Sequence, residues 1–184
     1  MDKNDIKVIV RTALSLFLIC AIATGILAFV NSVTDPIIAV NNGKAADEAR
    51  LQLLSDAKEF TQKEKDGKIY HIGTADGEAV GYVFTTSASG YGGTIEVMTG
   101  IKADGTVSGI SILSINETPG LGMNAKKNSF LSQFTGFSGS FTVVKNKEPA
   151  DNEILAITSA TITSSAVTKA VNEALSLYNS VKEG

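Results

Sequence analysis

From Thr12 to Thr34 the chain runs 23 residues without a charged side chain, and Leu14, Leu16, Phe17, Leu18, Ile19, Ile22, Ile26, Leu27, Phe29 and Val30 lie within that stretch. At about 1.5 Å per residue, roughly 20 apolar residues cross a hydrocarbon core of ~30 Å. The segment is therefore long enough to span a membrane. A cleaved signal peptide has an apolar region of about 7–15 residues ending in small side chains, which Phe29-Val30-Asn31 does not supply. A lipoprotein anchor at Cys20 calls for a small residue before the cysteine, where Ile19 stands. A buried core helix shows an apolar stripe, whereas here apolar side chains occur all round. The reading is a retained transmembrane helix over residues 12–34, preceded by a cytoplasmic tail, residues 1–11.

Orientation follows from charge. Lys3, Lys7 and Arg11 precede the span and Asp35 is the first charge after it. Basic residues favour the cytoplasmic side, so the expectation is an inner cell membrane protein, single-pass, with the domain after Asp35 extracytoplasmic. That domain has 13 Lys and Arg against 17 Asp and Glu, and Arg50 is its one arginine. Nucleic acid calls for clustered basic residues and bidentate phosphate clamps call for arginine, so both are disfavoured. The sequence holds one Cys, one His and no Trp. Usual zinc and iron–sulfur sites take about four Cys, His or carboxylate ligands, so no metal site is expected. Redox chemistry, if present, falls to an organic cofactor.

After the span, Ala45, Ala49, Leu53 and Ala57 recur every fourth residue with Leu54 beside them. That spacing predicts an amphipathic connecting helix within residues 35–62. From residue 63 to 184 the period changes. Asp66-Gly67, Asp76-Gly77 and Asp104-Gly105 are tight-turn pairs between runs Lys68–Ile72, Glu78–Thr86, Gly93–Ile101 and Thr106–Ile115, which predict an antiparallel meander. Val107, Ile110, Ile112 and Ile115 alternate imperfectly, as at a bulge or under burial on both faces. Phe130, Leu131 and Phe134 have helical spacing after Asn124, a potential cap. Phe141–Val144 reads as one more short strand, and Ser164–Lys182 as a helix with an apolar face of Val167, Ala170, Val171, Ala174, Leu177, Tyr178 and Val181. The fold class is α+β: one N-terminal transmembrane helix, then a twisted antiparallel sheet with packed helices.

Two stretches ask for more than scaffolding. Thr158-Ser159-Ala160-Thr161-Ile162-Thr163-Ser164-Ser165 puts six hydroxyls in eight residues before the last helix. One of Thr163, Ser164 or Ser165 suffices as a cap. Alternatively, the hydroxyls and the free N–H groups of a helix N-terminus form an anion site that needs no Lys or Arg. Asn116-Glu117-Thr118-Pro119-Gly120-Leu121-Gly122 contains the Pro-Gly pair of a type II turn. Gly122 is a second flexible point, and Glu117, Thr118 and Leu121 surround backbone that could approach a flat ligand. A third glycine cluster, Gly90-Tyr91-Gly92-Gly93, could approach a flat ligand likewise; it lacks the context of a nucleotide cradle, and a bend at a sheet edge is the preferred reading.

The span, Gly90–Gly93, Glu117–Gly122 and Thr158–Ser164, in this order, resemble the FMN-binding family typified by the G subunit of the Rnf ion-translocating ferredoxin:NAD oxidoreductase, across nearly the whole chain. The C subunit of the sodium-pumping NADH:quinone reductase shares the motifs but is longer. The resemblance implies FMN joined through its phosphate to the last Thr of a Ser/Thr-Gly-Ala-Thr motif, here Thr161, by a flavin transferase drawing on FAD. Thr158 matches the first hydroxyl and Ala160 the alanine; Ser159 stands where Gly is commoner, and Leu155 where an Asp is usual. Glu117 and Thr118 are implied to hydrogen-bond the ring and Leu121 to pack on it. Gly120, Gly122, Ile162, Thr163 and Ser164 complete the implied cofactor contacts, with no catalytic residue. Residues 63–184 are then an FMN-binding domain and the chain an electron-carrying subunit, not an enzyme alone, whose partners are the other membrane and peripheral subunits of the Rnf complex. Gly25, with Ala21 and Ala28, offers the span a small-residue packing surface. The alternatives are the C subunit of the quinone reductase, and a non-catalytic membrane-anchored module in which the hydroxyl cluster is a capped helix.

Overall fold

The tight-turn pairs Asp76-Gly77 and Asp104-Gly105 organise the molecule, seen in a computed structural model that describes residues 3–65 and 67–183; Asp66 of the third expected pair lies outside the described residues. Strands β1 (Glu59–Lys65), β2 (Lys68–Ala75), β3 (Glu78–Ser89), β4 (Thr94–Lys102) and β5 (Val107–Ser114) form an antiparallel sheet in chain order. Asp76 and Gly77 both take positive φ, 54° and 87°. This is the two-residue hairpin geometry whose twist suits the flanking strands, and it sets Ala75 opposite Glu78. At the next hairpin but one, Gly105 has φ 92° and the Asp104 carboxylate accepts the Thr106 N–H at 2.8 Å. The β4–β5 register shifts twice, at Glu96/Val97 and at Gly100/Ile101. These bulges account for the imperfect alternation in β5.

The chain divides into two units, Met1–Lys44 and Ala45–Gly184. A single helix, α1, runs Lys3–Leu53. Its stretch Lys7–Asp35 is long and apolar enough to cross a membrane, with none of it buried within the protein. Inside or beside that stretch the hydroxyls of Thr12, Ser15, Ser32 and Thr34 each donate to a carbonyl three or four residues earlier. Polar groups satisfied within their own helix cost least in hydrocarbon. The connecting helix expected over 35–62 is corrected here: helix ends at Leu53, and Glu59 already belongs to β1. Leu54 and Ala57 fit helical spacing because both are buried, yet they sit in a reversal in which the Ala57 N–H donates to Leu54 and the Lys58 N–H to Thr74 of β2.

Each face of the sheet has its own core. On one, Ala49, Leu53, Leu54 and Ala57 pack with Val83 and Met98. Glycines make the approach possible: a Cβ on Gly81 would come within 2.7 Å of Leu54, and one on Gly100 within 2.9 Å of Leu53. On the other face Phe84, Ile95, Val97, Ile101, Val107 and Ile110 meet Val167, Ala170, Val171 and Ala174 of the C-terminal helix α3 (Thr161–Glu183). Thr86 in β3 donates its hydroxyl to the Ala170 carbonyl at 2.8 Å, and Tyr178 reaches the Ala103 carbonyl at 2.9 Å. Two lines of contact thus fix α3 along the sheet, and with it the position of Thr161.

Between β5 and α3 lie a 3-10 turn (Gly122–Lys126), a short helix α2 (Asn128–Leu131), a second 3-10 turn (Ser132–Phe134) and the parallel pair β6 (Thr142–Val144) and β7 (Glu153–Leu155). Asn124 does not cap α2. Lys127 precedes that helix without a side-chain cap, and the Asn124 amide instead donates to the Gly120 carbonyl at 2.7 Å. Asn172 of α3 accepts the Phe141 N–H at 2.8 Å and donates to its carbonyl at 2.9 Å, tying the segment that leads into β6 to the core.

Candidate functional site

The helix α3 begins at Thr161, three residues before the sequence-based start, so the expected cap at Thr163, Ser164 or Ser165 does not exist. Ser164 is fully buried; its hydroxyl donates to the Ala160 carbonyl at 3.0 Å and accepts the Ile157 N–H at 3.0 Å. That pair of bonds closes the Ile157–Thr161 turn from inside. Among the described residues, the N–H groups of Thr161, Ile162 and Thr163 have no protein acceptor. A helix N-terminus leaves such donors open by construction, and they carry the positive end of the helix dipole.

The turn before the helix is strained at one residue. Ser159 has φ +60°, a left-handed conformation that disfavours residues bearing a Cβ. The glycine usual at this position in the resembling motif has a physical reason in that angle. Ala160, 7% exposed, packs inward, and Thr161 is half-buried.

Opposite this turn stands the Glu117–Gly122 loop. The Thr118 carbonyl accepts the N–H groups of Leu121 at 3.1 Å and Met123 at 3.2 Å, and Gly120 has φ 78°. These are the features of the type II turn that Pro119-Gly120 specifies. Gly122 admits no side chain, since a Cβ there would lie 2.7 Å from Glu117 and from the Thr163 hydroxyl. The loop and the helix start thereby meet in direct contact.

Between them lies a cavity of about 570 Å³ lined by Tyr91, Glu117, Thr118, Leu121, Gly122 and residues 159–163. Ligand pockets run to about 300–1,000 Å³. Nine of the expected residues converge here: Glu117, Thr118, Leu121, Gly122, Ser159, Ala160, Thr161, Ile162 and Thr163. Three do not line it. Gly120 shapes the turn, Ser164 holds the helix start from beneath, and Thr158 lines a second cavity of about 580 Å³, which also contains Lys145, Lys147 and Leu155. The two cavities share Ser159 and Thr161.

Glu117 is 8% exposed, and its Oε1 accepts the backbone N–H of Tyr91 at 2.7 Å and of Gly92 at 3.2 Å. The resemblance implied that it bonds a ring; in the structure its carboxylate fastens the Gly90–Gly93 bend to the cavity. Among the described residues, no Lys, Arg or His lines the cavity. In the neighbouring cavity Lys147 pairs with Glu153 at 2.7 Å, and that lysine and the Ala150 N–H hold the Glu153 carboxyl below its ordinary range, the N–H contributing most. Tyr91 lines the cavity too; it lies in the Gly90–Gly93 cluster of the resemblance but is not among the residues expected to contact a cofactor. Its one signal is an aromatic residue set among glycines.

Comparison with known proteins bears on what this arrangement serves. The FMN-binding domain family matches residues 90–176, and the RnfG N-terminal region matches residues 1–54. The chain is 38% identical to the G subunit of the Na(+)-translocating ferredoxin:NAD(+) oxidoreductase complex of Acetobacterium woodii, over 97% of this chain and 96% of that one. It is 39% identical to the G subunit of the proton-translocating complex of Clostridium ljungdahlii, over 95% and 92% of the two chains. The chain belongs to the FMN-binding RnfG family. Among solved structures, the C subunit of the Na(+)-translocating NADH-quinone reductase from Parabacteroides distasonis superposes with a TM-score of 0.57 at 22% identity, over 75% of this chain and 92% of that one. The NqrC structure from Shewanella oneidensis gives 0.51 at 20% identity, over 65% and 66%. Those likenesses show that the α+β fold is shared between the RnfG and NqrC kinds of protein.

Proposed function

We propose that this chain is a membrane-anchored electron carrier of an ion-translocating ferredoxin:NAD oxidoreductase, holding FMN through a phosphoester to Thr161. The observation that carries the reading is the start of α3: Thr161 stands at the wall of the cavity, and its own N–H and those of Ile162 and Thr163 have no acceptor among the described residues. Donors at a helix N-terminus receive a phosphate without Lys or Arg, and among the described residues the lining offers neither. On the cavity lining, Leu121 of the opposite loop and Ile162 beside Thr161 present apolar surface, 41% and 56% exposed, against which a flat ring system buries area. The residues present therefore fit a phosphate joined to an aromatic ring.

A bound flavin would supply one- and two-electron transfer at its ring. The work of the chain is to hold and tune. Thr161 contributes the oxygen of the ester, and Ala160 leaves room beside it for the flavin transferase that draws on FAD. Gly122 lets the loop and the helix start close to contact distance, and Glu117 fixes the bend that carries Tyr91. A covalent link keeps the cofactor from escaping into the medium, which matters for a domain on the outer side of a membrane. Lys3, Lys7 and Arg11 before the span support that orientation. The other members of the complex take the roles of meeting ferredoxin and NAD and of moving the ion. Residues 12–34 as the span and 63–184 as the flavin domain remain the division proposed, with the folded unit beginning earlier, at Ala45.

Identity of 38% and 39% to two RnfG-type relatives along nearly their full length favours this complex over the quinone reductase. Open donors on a cavity wall favour it over a module with a merely capped helix. Expression with a flavin transferase, followed by denaturing electrophoresis, tests the reading: the wild-type band fluoresces, Thr161→Ala is dark and Thr161→Ser retains label. A fluorescent Thr161→Ala band would place the attachment elsewhere.

A further inference from the structure

The bend Gly90–Gly93 is more tightly held than a sheet-edge loop needs to be. The Gly90 N–H donates to the Gly93 carbonyl at 2.7 Å, and the N–H groups of Tyr91 and Gly92 both go to Glu117. Neither Gly90 nor Gly92 can carry a side chain: a Cβ at the first would lie 2.3 Å from the Glu117 carboxylate, and at the second 2.2 Å from the Asn116 carbonyl. Between these two clamped glycines stands one side chain, the phenol ring of Tyr91, 75% exposed and lining the cavity. Its hydroxyl makes no hydrogen bond among the described residues. An exposed aromatic ring is ordinary on a mobile loop. On backbone held by a buried carboxylate, at the mouth of a cavity whose other exposed apolar groups are Leu121 and Ile162, it is a wall waiting for a planar partner.

We propose that Tyr91 is a positioning residue for the ring, stacking on the isoalloxazine system and shielding it from water, with Glu117 acting through it by fixing the bend. This rests on the flavin reading above and goes beyond it in naming the residue that sets the environment of the ring rather than of the phosphate. A tyrosine stacked on a flavin quenches its emission, because the phenol donates an electron to the excited ring; phenylalanine stacks without donating. The three side chains at position 91 thus separate contact from mere structure.

The test uses the full-length chain in detergent, loaded with FMN, comparing the emission lifetime of wild type, Tyr91→Phe and Tyr91→Ala. Both variants are expected to brighten. A second measurement takes riboflavin, which lacks the phosphate and reads the ring site alone, and titrates it into a Thr161→Ala chain. Adding Tyr91→Ala should weaken riboflavin about tenfold, the usual scale for losing one stacking aromatic, whereas Tyr91→Phe should bind like its parent. Because Tyr91 is mostly exposed and held by its backbone, none of these changes should unfold the domain. Lifetimes and affinity that do not respond to Tyr91→Ala overturn the proposal while leaving the attachment at Thr161 standing. A wild-type chain that holds no flavin at all overturns both.

Discussion

Ser159→Gly is expected to stabilise the protein although it removes atoms. The residue has φ +60°, is exposed, and makes no side-chain hydrogen bond among the described residues, so its hydroxymethyl group contributes no burial that Gly would forfeit. An L-residue held in the left-handed region costs roughly 1–2 kcal/mol. The greater freedom of Gly in the unfolded chain returns about 0.5–1 kcal/mol of that. The balance favours Gly by about 0.5–1 kcal/mol, or roughly 2–4 °C in Tm for a domain of this size. The sequence contains no Trp, and its four tyrosines all follow the span, so tyrosine emission of the flavin-free chain in detergent reports the folded unit and not α1. Tyr178, 3% exposed and edge-on to Tyr82 at 5.4 Å, is the most sensitive of these reporters. Ser159→Ala serves as control: it deletes the same oxygen but keeps the Cβ, and its stability should stay within about 0.5 kcal/mol of wild type. An unchanged or lowered Tm for Ser159→Gly would show that the backbone angle carries no strain, and with it the explanation for glycine at this position would fall.

Two further outcomes follow from one buried and one half-buried group. Glu117→Ala deprives the Tyr91 and Gly92 N–H groups of a charged acceptor; because both residues are exposed, water replaces part of the loss, and urea unfolding should show a destabilisation of about 1–2 kcal/mol. A loss near zero would mean the bend is not held by that carboxylate. His71 in β2 has its pKa lowered, chiefly by burial and then by the Arg50 guanidinium, with Asp47 opposing. Its folded pKa lies below the unfolded one, so the unfolded chain takes up the proton first; stability therefore declines as pH falls from about 6.5 toward the folded pKa and then levels. His71→Gln should flatten that part of the urea-midpoint profile, and an unaltered profile would assign the slope to other groups.

How much of the fold is legible in the sequence depends on how local each signal is. Asp-Gly pairs specify their hairpins within two residues, and four of the five meander strands are readable for that reason. The fifth, β1, is not: Glu59–Lys65 carries four charges on an edge whose side chains are mostly exposed, so neither alternation nor hydrophobicity marks it. β7 is three residues long and pairs in parallel with β6, a contact between segments whose sequences carry no sign of each other. The C-terminal helix reads as starting three residues late because Ser and Thr at a helix start look like caps. In the structure the hydroxyl of Ser164 turns inward, which frees the first-turn donors for the cavity. Most of the cavity comes from two recognisable motifs, while Tyr91 joins it through a clamp formed by a carboxylate 26 residues away.

The central claim concerns one oxygen atom. Mass spectrometry of the proteolytic peptide containing Thr161, from full-length protein co-expressed with a flavin transferase, should find that peptide heavier by the mass of FMN less one water, with fragmentation placing the addition on Thr161. An unmodified Thr161 peptide, or a flavin mapped to any other residue, would contradict the account.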